Sequence, residues 1–77
     1  MEIDEDVAVL ARLGKRIRYL RRSRKWTQHR LAAEAKLHRN YLGGIERGER
    51  NPTVTNLARI AKALGVSLAS LFEEATR

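Results

Sequence analysis

Residues 38–41 read His-Arg-Asn-Tyr, and the middle two carry hydrogen-bonding groups of complementary kinds. An arginine fork donates two parallel bonds and matches O6 and N7 of guanine. An asparagine amide donates and accepts at once, matching N6 and N7 of adenine. Adjacent at the start of a short helix, Arg39 and Asn40 have the groups that reading base edges in a major groove requires. Other chemistries find little support. There is no cysteine, and the two histidines, His29 and His38, stand apart without further ligand types around them. No serine is placed beside a plausible base, the acids do not converge, and no glycine-rich phosphate loop is present. Neither a catalytic centre, a metal site nor a cofactor is expected.

The charge agrees with a polyanionic partner. Sixteen Lys and Arg against nine Asp and Glu give a formal net charge of +7 on 77 residues. The distribution is uneven: nine of the sixteen cations lie between Arg12 and Arg30, and no acid interrupts Val7 to Ala33. Four of the acids fall in the first six residues, and Glu73 and Glu74 lie near the other end. Such asymmetry suits one phosphate-facing side with less basic ends. No apolar run approaches the roughly 18 residues of a membrane span. The acidic start is unlike a signal peptide, so a cytoplasmic protein is expected.

The elements that must position Arg39 and Asn40 are all helical. Leu10, Leu13, Ile17 and Leu20 recur at spacings of three and four, giving a first helix over about 7–23. Thr27 then looks like an N-cap, with Trp26 before it and Leu31 four residues on, the pattern of a hydrophobic staple. His38 stands in the same relation to Leu37 and Leu42, and Ser67 to Val66 and Leu71. Pro52-Thr53 marks a further start, while Gly48 and Gly65 suit helix ends. These marks predict further helices at 28–35, 39–47, 54–64 and 68–75. No strand pattern appears. The expectation is a compact all-α domain of five helices spanning 1–77.

The second and third helices are each about two turns long and are separated only by Lys36, Leu37 and His38. So tight a junction forces a large crossing angle, with Leu31, Ala32, Ala35, Leu37, Leu42 and Ile45 turned inward. That is a helix-turn-helix, and it leaves the first turn of its second helix open to solvent.

The chain here resembles a known family. The residues are Thr27-Gln28, Leu31-Ala32, Leu37-His38-Arg39-Asn40-Tyr41-Leu42, Ile45-Glu46-Arg47-Gly48-Glu49-Arg50-Asn51-Pro52-Thr53, Leu57 and Ile60-Ala61-Lys62-Ala63-Leu64-Gly65-Val66. In that order they are similar to the helix-turn-helix regulators of phage-repressor and Cro type, also called xenobiotic-response-element type. The resemblance runs from about Leu13 to Phe72. It implies a lambda-repressor-like fold and binding of double-stranded DNA. The short length is similar to controller proteins of restriction–modification systems, and equally to phage Cro-like, plasmid and toxin–antitoxin regulators.

Matched positions carry expectations. The resemblance makes Arg39 and Asn40 base contacts, and Gln28 a phosphate contact that braces the recognition helix. His38 replaces the usual serine or threonine cap and is a candidate for contact with phosphate or base. Tyr41 either packs against the second helix or offers its hydroxyl to a phosphate. Gly43 and Gly44 occupy reading positions without side chains. Arg24, Lys25, Arg30, Arg50 and Asn51 flank the motif as phosphate contacts, which orient a protein on DNA without specifying sequence. Arg21 and Glu46 match a pair that forms a salt bridge in similar proteins. Lys36 takes a turn position usually held by glycine, so a left-handed backbone is expected there. The apolar residues Val66, Leu68, Leu71 and Phe72 are the expected homodimer surface, since useful affinity needs two half-sites about one helical turn apart, ~34 Å. The resulting expectation is a homodimeric transcriptional regulator reading a palindrome, with RNA polymerase as a further partner if it activates. The alternative is an antitoxin or adaptor module that uses the same fold to hold a protein. No small-molecule effector site is evident.

Overall fold

The computed structural model describes residues 4–73. Four α-helices follow in order: α1 (Glu5–Ser23), α2 (Gln28–Ala35), α3 (Arg39–Glu46) and α4 (Val54–Leu64); a short 3-10 turn, Ala69–Phe72, closes the described chain. Among the described residues there is no strand, and no helix is long and apolar enough to cross a membrane.

Each helix starts where a side chain satisfies an otherwise unpaired backbone N–H. Thr27 accepts from the Arg30 amide at 3.0 Å, and Thr53 from the Asn56 amide at 3.1 Å. The first helix begins two residues earlier than the apolar pattern predicts. Its cap is Asp4, whose Oδ1 accepts from the amides of Asp6 and Val7, so Glu5 and Asp6 lie in the first turn. Acids there favour the positive end of the helix dipole.

Helix ends use left-handed residues. Gly48 and Gly65 take φ of 76° and 73°, and the amides beyond them return to Gly44 and Ala61. At Lys25 and Lys36 the same left-handed φ of 59° is imposed on residues that have a Cβ. Leu37 N–H donates to the Ala32 carbonyl at 2.9 Å, so the turn between α2 and α3 is closed across a strained lysine.

The predicted fifth helix is corrected: Ala69–Phe72 winds as a 3-10 turn, and Glu74 and Ala75 lie outside the described residues. Ser67 still acts at its start, its Oγ accepting from the Ser70 amide at 3.2 Å. Two contacts hold the tighter winding. Leu71 is drawn fully into the core, and Arg16 Nε–H donates to the Ser70 carbonyl at 2.8 Å. Arg16 also reaches Glu73 Oε1 at 3.1 Å, fastening this segment to α1. The third helix ends at Glu46, one residue short of the predicted boundary.

The core is one cluster to which every element contributes. Ile17 from α1, Leu31 from α2, Leu42 and Ile45 from α3, Ile60 and Leu64 from α4, and Leu71 have their side chains fully buried. Each such burial contributes about 1.5–3 kcal/mol relative to exposure. Ala32, Ala35 and Ala61 are also buried and let the backbones approach. Helix α1 packs on α3, and α2 packs on both α3 and α4.

Gly14, in the middle of α1, makes the first of these packings possible. A Cβ there would fall 2.5 Å from the carbonyl oxygens of both Ile45 and Glu46. Backbone cannot yield as a flexible side chain does, so Gly14→Ala is expected to destabilise by about 1–3 kcal/mol. Lys36→Gly is expected to stabilise by about 1 kcal/mol by relieving the left-handed lysine. Urea unfolding checks both: the midpoint moves down for the first and up for the second, with the slope unchanged.

Candidate nucleic-acid interface

The site is built around a carboxylate that has been taken out of water. Glu46, at the end of α3, is 6% exposed, and three helices meet on it. From α1, Arg21 (7% exposed) donates Nε–H to Oε2 at 2.7 Å and Nη2–H to Oε1 at 3.0 Å. From the first residue of α2, Gln28 Nε2–H donates to the same Oε1 at 2.9 Å. The remaining Arg21 nitrogen, Nη1, donates to the Trp26 carbonyl at 2.8 Å, tying in the loop before α2. A bidentate pair fixes both distance and plane, and removing either partner strands a charge in the core. No buried side-chain polar atom is left without a partner among the described residues.

This junction sets the angle at which α3 is presented. At the other end of α3, Arg39 and Asn40 are both exposed on the first turn. His38 caps that turn: its Nδ1 accepts from the Asn40 amide at 3.1 Å. Tyr41 is half-buried, and its hydroxyl accepts from Asn56 Nδ2 at 3.2 Å, linking α3 to α4.

The two glycines do not present open backbone. Gly43 and Gly44 are both buried. A Cβ at Gly44 would fall 2.6 Å from Cγ of Arg50, and one at Gly43 would fall 3.1 Å from Nη1 of Arg47 and 3.5 Å from Oε1 of Gln28. Two arginines from the end of α3 and the following loop therefore lie across the bare positions. Arg47 was not singled out from the sequence. A glycine one turn before a long cation on a helix face was the available signal.

The flanking cations separate into two sets. Arg24 and Arg30 both lie over the indole of Trp26: their guanidinium carbons are 4.6 and 4.5 Å from its ring centre. Arg24 also donates Nη1–H to the Leu64 carbonyl at 2.8 Å, satisfying the end of α4. Arg30 pairs with Glu34 at 3.0 Å one turn on. Both are thus held in place by the protein itself. Lys25, Arg50 and Asn51 are exposed, with no ion pair among the described residues.

At the opposite end, the expected dimer residues also divide. Leu71 is 0% exposed and belongs to the core, which corrects its assignment as an interface residue. Val66 is half-buried against the same core. Leu68 is 36% and Phe72 58% exposed, and Val9 of α1 lines the same surface depression as Phe72.

An all-α bundle whose second and third helices make this turn, with Arg39 and Asn40 exposed on the first turn of the third, is a helix-turn-helix DNA-binding domain of lambda-repressor type. The helix-turn-helix family model matches residues 17–71, and the chain belongs to that family, the phage-repressor and Cro-type transcriptional regulators. It is 42% identical over 64 residues to the control protein C.BamHI of Bacillus amyloliquefaciens, covering 82% of this chain and 79% of that protein. It is also 42% identical over 64 residues to the immunity repressor of Bacillus phage phi105, matching 83% of this chain but only 44% of the repressor's length. Among solved structures, the restriction–modification controller protein C.AhdI from Aeromonas hydrophila superposes with a TM-score of 0.83 at 40% identity, covering 84% of this chain and 98% of that one. The controller C.Esp1396I, solved as a tetramer on its natural 35 base-pair operator, gives 0.77 at 38% identity over 83% of this chain and 84% of that one.

Arg21→Ala is expected to cost about 3–5 kcal/mol of stability, because it leaves the buried Glu46 carboxylate without its bidentate partner, with only Gln28 and the distant, exposed Arg18 near it. Gln28→Ala removes one bond to a group that keeps its arginine, and is expected to cost about 1.5–3 kcal/mol. Thermal and urea melts of the two variants check the ranking.

Proposed function

We propose that this protein is a homodimeric transcriptional regulator that reads a palindromic operator in double-stranded DNA, acting as one DNA-binding domain in the cytoplasm. The observation that carries the reading is the exposed Arg39–Asn40 pair on the capped first turn of a helix whose base is locked by Glu46. Arg39 and Asn40 supply the sequence-reading bonds. Gln28, Lys25, Arg50 and Asn51 supply phosphate contacts, and Arg24 and Arg30 frame the same side from fixed positions. Dimerisation uses Leu68 and Phe72, together with the half-buried Val66. The likeness to controller proteins supports restriction–modification genes as the regulated set, with RNA polymerase contacted where binding activates.

Selection of bound duplexes from a random pool, followed by footprinting, tests this directly. A palindrome with half-site centres about one turn, ~34 Å, apart is the expected product. Arg39→Ala is expected to weaken operator binding by about 1–3 kcal/mol and to relax discrimination at one base pair. Arg50→Ala is expected to weaken operator and random DNA alike. Phe72→Glu is expected to shift sedimentation from dimer to monomer. Equal losses on both DNAs from Arg39→Ala would remove its role as reader.

A further inference from the structure

One face of α1 carries charge for which neither the fold nor the recognition helix has a use. Lys15, Arg18 and Arg22 recur at spacings of three and four, so they form a single stripe along the helix, with Tyr19 between them. These residues and Ser23 line a shallow depression on the surface. All five side chains are exposed. No ion pair among the described residues involves Lys15 or Arg22, and Arg18 approaches only the already bridged Glu46, at 3.9 Å. Like charges at these spacings repel and weaken the helix that bears them.

The position of the stripe says what it faces. Oε1 of Glu46 is shared by Arg18 at 3.9 Å and by Gln28 at 2.9 Å. The middle member of the stripe therefore lies beside the first residue of α2, where the DNA contact proposed above begins, and the stripe extends one turn along α1 to either side of it. It is continuous with that interface but lies on a different helix from the base readers.

We propose that the Lys15–Arg18–Arg22 stripe binds the phosphate backbone of duplex DNA flanking the half-site, extending the contacted length beyond the base pairs that α3 reads. This rests on the reading of the protein as an operator-binding regulator. The ligand class is duplex phosphate, and the contact is indifferent to sequence. Arg18 is the middle member, next to the α2 contact; Lys15 and Arg22 lie one turn to either side of it and carry the added contacts.

The test uses the full chain and the duplex recovered by selection, made in a short form ending at the palindrome and a long form with flanks of arbitrary sequence. Lys15→Gln and Arg22→Gln are combined in one variant, since both residues are exposed and outside the core; circular dichroism and urea melts verify its fold. Binding is titrated by anisotropy across a salt series. The unmodified protein is expected to bind the long duplex several-fold more tightly. Its log–log salt slope there should be steeper by about 0.9 for each added phosphate contact in each half-site. The variant is expected to lose both differences while binding the short duplex within about two-fold of the unmodified protein. If flanks add neither affinity nor slope, or if the variant loses equally on both lengths, the proposal is overturned while the regulator reading stands. If the unmodified protein fails to discriminate the selected palindrome from a scrambled one, the regulator reading falls and the stripe proposal falls with it.

Discussion

A single buried carboxylate holds this domain in register. Glu46 ends α3 inside the core, and its two oxygens are bonded from α1 by Arg21 and from α2 by Gln28. Apolar contacts among Leu31, Leu42 and Ile45 tolerate small rotations of one helix on another, whereas a bidentate ion pair in low dielectric does not. Such a pair adds little net stability over an apolar replacement. Its effect here is geometric: it fixes where α3 stands relative to the helix that precedes it. The close approach of α1 to the end of α3 is part of the same constraint, and only a glycine at position 14 permits it.

The constraint also sorts the charge. Of the basic residues around the motif, Arg21 belongs to the core, Arg24 closes α4, and Arg16 holds the C-terminal turn. Trp26 stacks on Arg24 and on one further cation, Arg30, which lowers the entropy lost if those guanidinium groups later meet a phosphate. The exposed pairs Arg30–Glu34 and Arg47–Glu49 contribute well under about 1 kcal/mol each. Much of the formal charge excess is therefore architectural, and the cations left to attract a polyanion form a smaller and more directional set.

How much of this could be read from the sequence followed the range of the interactions. Caps and helix ends depend on neighbours within four residues, so Thr27, Thr53, Gly48 and Gly65 stood out at once. The helix-turn-helix and the Arg21–Glu46 pair were legible because the motif residues keep a fixed order and spacing. Gly14 was not, since its reason for being glycine lies on α3, more than thirty positions away. The same holds for Arg24, which serves the Leu64 carbonyl, and for the arginines that cross Gly43 and Gly44. Leu71 was assigned to the wrong surface because an apolar C-terminal segment gives no indication of which of its residues turns inward. The 3-10 winding of Ala69–Phe72 depends on Arg16, another long-range partner.

The recognition helix itself shows why the distant contacts matter. It has eight residues and two internal glycines, each of which lowers helix stability by ~1 kcal/mol relative to alanine. A helix so short does not persist alone in water. Its order must come from outside, through Glu46 at one end, the His38 cap at the other, and Tyr41 bonded to α4 between them. On the proposed reading, only two side chains per copy then face base edges from its first turn. At about 1–3 kcal/mol for each good bidentate contact, one copy supplies about 2–6 kcal/mol of discrimination. Specific binding exceeds non-specific binding by about 4–10 kcal/mol in characterised regulators. One copy reaches that range only if both contacts are near their best, whereas two copies span it with ordinary ones. On that reading, the economy of the helix makes specificity depend on pairing, and the exposed Phe72 is the surface proposed for it.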